Sequence, residues 1–266
     1  MTDTSEIWTG IASSYDWARP TPPPALLELL TQLIGVPHPA LVVDLGSGTG
    51  LSTAIWGERA ELVIGIEPNA DMRNTAVYKL EGHPYSTHID YREGTGQRTG
   101  LPNESADIVT AAQSFHWMDP TSTLAEILRI LRPGGLFAAY DYDWPPALNW
   151  ELEQVYQEVD ERFDKLMQER GLTGNLPRWP KHSHLDRMRD SSFRFARELF
   201  LHHIEQGDAA RFLEMVRTNA YSQQFKLNTI TEEEVGFDRL TRMAHLMLGS
   251  KAIPWYFSYR VRIGIK

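Results

Sequence analysis

Apolar residues in this chain fall into short dense runs separated by stretches with a different rhythm. The runs at 41–45, 62–66, 106–112 and 136–140 are rich in Val, Ile, Leu and Ala, which is how strands buried on both faces read. A shorter strand is expected at 87–92. Between and before them the spacing turns helical: Leu26, Leu29, Leu30 and Leu33 lie on one face of a helix over 25–34 that stops at Gly35. Further helices are expected after Pro68 and Asn69 and over 121–131, followed by a turn at 132–135. Strand and helix in alternation predict an α/β fold with a parallel sheet and right-handed crossovers.

After residue 144 the rhythm changes. Leu152, Val155, Val159, Phe163 and Leu166 recur at helical spacing, and beyond Gly171 the chain is irregular, with Pro177, Trp179, Pro180, His182 and His184. The stretch 145–192 therefore reads as a helical cap, inserted after the fifth strand above the crevice at the strand ends. A sixth strand at 193–201, helices over 209–218 and 232–248, and a final alternating strand at 255–265 complete the order. At the other end, residues 8–24 hold Tyr15, Trp17, Arg19 and prolines at 20, 22, 23 and 24, which exclude a continuous helix. We expect one domain over 1–266, with 1–24 as an ordered arm in which Tyr15 and Trp17 can act as aromatic staples.

Composition narrows the functional classes. The 266 residues carry a formal net charge of −9, which disfavours a general nucleic-acid binder, because such proteins gain affinity from Lys and Arg on phosphates. With no cysteine there is no disulfide framework, thiolate nucleophile or Cys-ligated metal, in keeping with a reducing, cytoplasmic setting. The polar, acidic start and the lack of a long apolar run point away from a secretory signal or a membrane span. His182 with His184, and His202 with His203, lack an acidic partner at ligand spacing, so no metal is expected.

The chemistry centres on 42–50, VVDLGSGTG: a buried strand, a tight glycine turn, then a helix. Such a turn at the carboxyl end of a parallel strand opens a ligand crevice. The dinucleotide fingerprint needs G-x-G-x-x-G, and Leu51 stands where its third glycine would be. The spacing is Gly46, Gly48, Gly50 instead. Glu67 closes the next strand, 67 − 44 = 23 residues after Asp44, where a carboxylate can accept from both hydroxyls of a ribose. Asp44 beside the turn would repel a pyrophosphate and suit an ammonium. A nucleoside with a cationic tail fits both acids.

D-L-G-S-G-T-G followed by Glu67 resembles the class I S-adenosylmethionine-dependent methyltransferases. So do G-T-G-Q at 94–97, L-P at 101–102, A-D-I-V at 106–109, H-W at 116–117 and L-R-P-G-G at 131–135. The likeness covers about the first 145 residues and is nearest to small-molecule methyltransferases of the trans-aconitate type, which carry a similar N-terminal Tyr and Arg-Pro. The resemblance implies a Rossmann-like, doubly wound, seven-stranded sheet, mostly parallel, whose last strand runs antiparallel between the fifth and sixth. It implies S-adenosyl-L-methionine as cofactor, with Tyr15 and Arg19 folding over it and Met72 lying against its adenine. Where many relatives have an acid, this chain has Thr95, which leaves the adenine to Thr95, Gly96 and Gln97. Gln113 and Ser114 of the loop after the fourth strand would face the cofactor, and Trp117, Tyr142 and Trp144 the acceptor.

The expected reaction is in-line methyl transfer to a small-molecule acceptor, by a monomer or homodimer. A base is needed only if the acceptor must lose a proton. His116 is the candidate because an unperturbed imidazole titrates near neutrality; walling the cofactor is its other reading. Tyr140, Asp141, Tyr142, Asp143 and Trp144 form a second cluster aimed at the crevice, where Arg178, Lys181 or Arg217 would have to offset the acids for an anionic substrate. The alternatives are a nicotinamide-dependent oxidoreductase, disfavoured by Leu51 and Asp44, and a catalytically silent S-adenosylmethionine-binding protein.

Overall fold

The computed structural model describes residues 7–172, 178–219 and 222–266. Helices and strands follow in the order α1 (Ala12–Ala18), α2 (Pro24–Ile34), β1 (Leu41–Leu45), α3 (Leu51–Ala54), β2 (Leu62–Ile66), α4 (Ala70–Leu80), β3 (Ile89–Arg92), β4 (Ala106–Ala112), α5 (Pro120–Ile130) and β5 (Leu131–Tyr142). They continue with α6 (Trp150–Glu169), α7 (His184–Arg189), β6 (Phe195–Gly207), α8 (Ala209–Arg217), α9 (Ser222–Lys226), α10 (Glu232–Val235), α11 (Phe237–Met247) and β7 (Ile253–Ile265). The strands form one seven-stranded sheet ordered β3-β2-β1-β4-β5-β7-β6. Strands β3 to β5 pair in parallel, and β7 runs antiparallel to β5, the topology expected of the class I methyltransferase fold.

The chain groups into two compact units. One, the sheet unit, comprises Thr21–Tyr142, Arg178–His202 and Ser258–Lys266; the other, the helical unit, comprises, among the described residues, 7–20, 143–172, 203–219 and 222–257. In the sheet unit every residue of β1 is buried, as a strand covered on both faces must be. Val43, Leu45, Ile64, Ile66, Val109 and Phe137 meet Leu124 and Ile127 of α5 in the core. Helix α2 starts on a proline at its first turn and ends at Gly35 in the left-handed conformation (φ 67°), each residue suited to its end. Asp119 caps α5 and Asn69 caps α4 through their side chains.

The turn expected at 132–135 is present within β5: Leu131 pairs with Ala106 and Leu136 with Ile108, so the residues between bulge out opposite Asp107. The stretch 145–192, expected as one cap, is divided. Helix α6 belongs to the helical unit, whereas 178–192 belong to the sheet unit, where Met188 of α7 is fully buried in the core and the His184 ring packs edge-on to Phe115. Pro177 lies outside the described residues.

In the helical unit α6 buries Leu152, Val155, Tyr156, Val159, Phe163 and Leu166, the predicted stripe with Tyr156 added. Helix α11 packs on α6 and α8, and α1 on α8. The single helix expected over 232–248 is two, because Gly236 sits left-handed (φ 80°) and ends α10. Helix α9 has too short an apolar pattern to have been expected.

Candidate active site

The turn after β1 owes its shape to three glycines with positive φ: Gly46 at 66°, Gly48 at 55° and Gly50 at 84°. A Cβ on Gly46 would meet the Ser114 Cβ at 2.6 Å, and one on Gly50 would run into the Tyr91 hydroxyl; beside Gly48 nothing lies within 4 Å. The turn is thus pinned at both ends and open at its middle. Ser47 and Thr49 are buried and their hydroxyl oxygens have no hydrogen-bond partner among the described residues, leaving polar capacity beside the opening.

Both acids expected at this turn are there, in different roles. Asp44 is fully buried, with Oδ2 accepting from the Ser52 hydroxyl and from Thr53 Oγ1 at 2.7 Å, and Oδ1 from Thr110 Oγ1 at 2.8 Å. Burial raises its pKa and the three hydroxyls pull it back. The carboxylate expected to face a ligand ammonium thus also ties β1 to α3 and β4. Behind it Tyr140 is fully buried, its phenol held neutral by burial.

Glu67 keeps the expected place at the end of β2. Its Oε2 accepts from the Gly48 N–H at 2.9 Å and its Oε1 from the Asn69 N–H at 2.8 Å, so it joins the turn to the start of α4 with lone pairs to spare on each oxygen. Burial raises its pKa, against those two bonds and the nearby Arg73 charge. Met72 is buried one turn into α4. Thr95 and Arg98 close a tight turn through two backbone bonds, 3.2 and 3.0 Å. Within it Thr95 and Gln97 are exposed, while buried Gly96 lies so close to Met118 that a Cβ would come within 2.5 Å of its sulfur.

At the end of β4 the chain turns at Gln113, a non-glycine residue with φ 51°, a conformation that costs energy and recurs at functional sites. The side chains of Gln113 and Ser114, expected to face a cofactor, are engaged by protein: Gln113 Nε2 donates to the Tyr142 carbonyl at 3.3 Å, its Oε1 accepts from Lys181 at 2.7 Å, and the Ser114 hydroxyl donates to the Leu45 carbonyl at 2.6 Å. His116 and Trp117 follow in a short 3-10 turn, with the Arg178 guanidinium 5.2 Å from the centre of the Trp117 ring. Tyr142 packs edge-on to Tyr259.

Asp141 at the end of β5 is the hub of a buried charge cluster. Its Oδ1 accepts from Lys181 Nζ at 2.8 Å and lies 3.7 Å from His116 Nδ1, and its Oδ2 accepts from Arg262 at 2.9 Å. Arg262 Nε also meets Glu198 at 2.9 Å. The backbone of 178–181 completes the hold on the β4 loop, the Trp179 N–H donating to the His116 carbonyl at 2.8 Å. Burial, followed by Lys181, Arg178, His184 and Arg262, brings the His116 pKa well below its ordinary value, so the ring is neutral at pH 7. The near-neutral titration expected of His116 is corrected accordingly. Sequence reasoning missed Arg262: the alternation of β7 pairs it with outward-facing Arg260, but residues 261–264 are buried on both faces.

Tyr15, Arg19 and Trp144 belong to the helical unit. There Arg19 lies 4.6 Å from the Tyr15 ring centre and donates to the Thr218 carbonyl at 2.7 Å. Trp144 stacks on Phe212 and meets Tyr156 edge-on, so the residue expected against an acceptor is part of that unit's aromatic cluster. Arg217, considered as a counter-charge, pairs with Glu232 at 2.8 Å in the same unit.

Residues 43–139 match the family model described as a methyltransferase domain. An uncharacterized methyltransferase of Mycobacterium tuberculosis is 33% identical over 134 residues, 50% of this chain and 51% of the relative. One from Schizosaccharomyces pombe is 30% identical over 127 residues, 47% and 48% of the two chains. The chain thus spans about half the length of the curated relatives it matches. Among solved structures, a type II methyltransferase from Anaeromyxobacter dehalogenans superposes with a TM-score of 0.63 at 24% identity, covering 93% of this chain and 97% of that one. A geranyl diphosphate methyltransferase in complex with S-adenosylmethionine superposes at 0.51 and 16% identity, covering 91% and 84%. At these identities the structural likeness speaks for the fold.

Proposed function

We propose that this chain, which carries the methyltransferase domain of the class I S-adenosylmethionine-dependent methyltransferases, transfers the methyl group of S-adenosyl-L-methionine to a small-molecule acceptor by in-line displacement. The observation that carries the reading is Glu67: a buried carboxylate at the end of β2, held by the Gly48 and Asn69 N–H groups with one lone pair or more left on each oxygen, suits the two hydroxyls of a ribose. The open middle of the Gly46–Gly48–Gly50 turn and the unpartnered hydroxyls of Ser47 and Thr49 fit a polar ligand laid along it. Met72, Thr95, Gly96 and Gln97 would receive the adenine. S-Adenosylmethionine supplies an electrophilic methyl group when bound.

The protein's part is to orient and to exclude water, and orientation alone can supply roughly 7 to 11 kcal/mol. A small acceptor is supported by the net charge of −9, which disfavours nucleic acid. Among the described residues no helix is long and apolar enough to cross a membrane, and the lack of cysteine supports work in the cytoplasm. Calorimetry tests the cofactor reading: S-adenosylhomocysteine should bind and NAD should not, and NAD binding without S-adenosylhomocysteine binding would overturn it.

A further inference from the structure

The two edges of the sheet are built differently. At one, β3 is four residues long and carries Asp90 and Arg92, the short, charged kind of edge that resists further pairing. At the other, β6 runs for 13 residues without a proline. Arg194, just before it, donates its N–H to the Ile265 carbonyl of β7 at 2.8 Å, so alternation turns the backbone groups of residues 195, 197, 199 and 201 away from β7. Among the described residues no hydrogen bond from elsewhere in the chain reaches that outer side. The edge is apolar as well as long, with Phe195 49% and Phe200 55% exposed.

The chain around Phe200 has a symmetry of chemistry: Glu198, Leu199, Phe200, Leu201, His202 read the same in both directions, except that an acid ends one side and an imidazole the other. Glu198, Phe200 and His202 share one face of the strand, and the half-buried Leu199 and Leu201 share the opposite one. Both polar ends have capacity to spare among the described residues. Glu198 gives Oε2 to Arg262 at 2.9 Å and keeps Oε1; His202 meets the Ser258 hydroxyl through Nδ1 at 3.3 Å and keeps Nε2.

We infer that the protein forms a two-fold homodimer in which β6 pairs antiparallel with β6 of a second copy, the axis passing through Phe200. Leu199 then exchanges both backbone bonds with the partner's Leu201, and Leu201 with the partner's Leu199. Phe200 faces the partner's Phe200 in a non-hydrogen-bonded pair, where side chains come closest. Glu198 faces the partner's His202, once on each side of the axis, as a self-complementary interface requires. Aromatic and complementary polar pairs placed directly opposite stabilise a sheet. Neighbouring registers lose this match: an axis at Leu199 sets Glu198 against Phe200, and one at Leu201 sets Phe200 against His202.

Sedimentation of the full chain should show a concentration-dependent dimer. Phe200→Asp puts like charges on the axis, and Leu199→Pro removes an outward N–H at an edge position where proline is tolerated; each should weaken the dimer about tenfold or more. Phe200→Asp alters an exposed side chain, so it keeps the test sharp if Leu199→Pro fails to fold. Because the chain has no cysteine, a single introduced one reports the register. With oxidised glutathione, Phe200→Cys should give a covalent dimer. Leu199→Cys and Leu201→Cys should not, their positions lying diagonal across the axis at roughly 7 to 8 Å, beyond disulfide reach. A monomer at every concentration up to the solubility limit overturns the inference. So does a dimer that survives Phe200→Asp, or one in which position 200 fails to cross-link or cross-links less than 199 or 201.

Discussion

Replacing Glu67 by Ala should cost both cofactor affinity and stability, and the two losses can be read apart. On the ligand side, two ribose hydroxyls lose a charged acceptor, a loss of about 2 to 3 kcal/mol, which corresponds to roughly 30- to 160-fold in Kd. On the protein side, the Gly48 and Asn69 N–H groups lose acceptors at 2.9 and 2.8 Å. Gly48 is half-exposed and water can replace its partner, but Asn69 is buried, so one orphaned donor remains at about 1 to 3 kcal/mol. At about 2 to 4 °C per kcal/mol for a chain of this size, the melting temperature should fall by roughly 2 to 12 °C. Glu67→Gln keeps one acceptor oxygen and should fall in between. Calorimetric titration with S-adenosylhomocysteine gives the first number and thermal unfolding of the free protein the second. An unchanged Kd removes Glu67 from the site, and an unchanged melting temperature contradicts its two backbone bonds. The pH dependence has a fixed sign. Because burial places the folded pKa above 4.5, affinity for the ribose should decline as pH falls through that raised value, while the free protein gains stability over the same window.

Gly46→Ala should destabilise more than Gly48→Ala in thermal melts: both have left-handed backbones, but only at Gly46 does the new methyl meet another side chain, at 2.6 Å; equal losses would refute the steric part. Arg262→Met removes a cation from both Asp141 and Glu198 and should cost about 3 to 5 kcal/mol in urea unfolding; less than about 1 kcal/mol would show that the pair is not the buried bridge described. His184→Leu should leave stability at pH 7 equal or higher, since neither ring nitrogen has a partner. It should also flatten the pH profile: the His184 pKa is lowered to about 4, so the unfolded chain binds the proton first and stability drains away as pH falls from about 6.5 to 4. A profile unchanged by the substitution would place that titration elsewhere.

Periodicity located the sheet well because its strands are short, apolar and buried on both faces; β4 at Ala106–Ala112 coincides with its predicted run. The glycine turn and Glu67 were legible because left-handed backbone and a strand-end carboxylate leave marks in residue identity. Partnership leaves no such mark. Nothing in the string D-L-G-S-G-T-G says that Asp44 spends its carboxylate on Ser52, Thr53 and Thr110, or that Gln113 and Ser114 turn to Lys181 and Leu45. The division of 145–192 was equally hidden, because Met188 and His184 are too few and too short a pattern to declare which core they enter. Arg262 escaped for the opposite reason: period-2 reading assumes one wet face, and the end of β7 has none.

Tyr91 lays its ring over Gly65, where an added Cβ would sit 2.6 Å from the ring edge and 2.8 Å from the Ser47 hydroxyl. Gly65 has no unusual backbone angle, so glycine is required there only by its neighbours and not by the strand itself. Positions 65 and 91 are therefore one choice made twice: a large side chain at one forbids any at the other. In a library that varies single sites, Gly65 will look intolerant, yet paired with Val or Ala at 91, and with the Ser47 hydroxyl turned to another rotamer, it should accept a methyl group and gain strand propensity. The route through sequence space between those two solutions passes through a state with either a clash or a hole, which is why the pair should be inherited together.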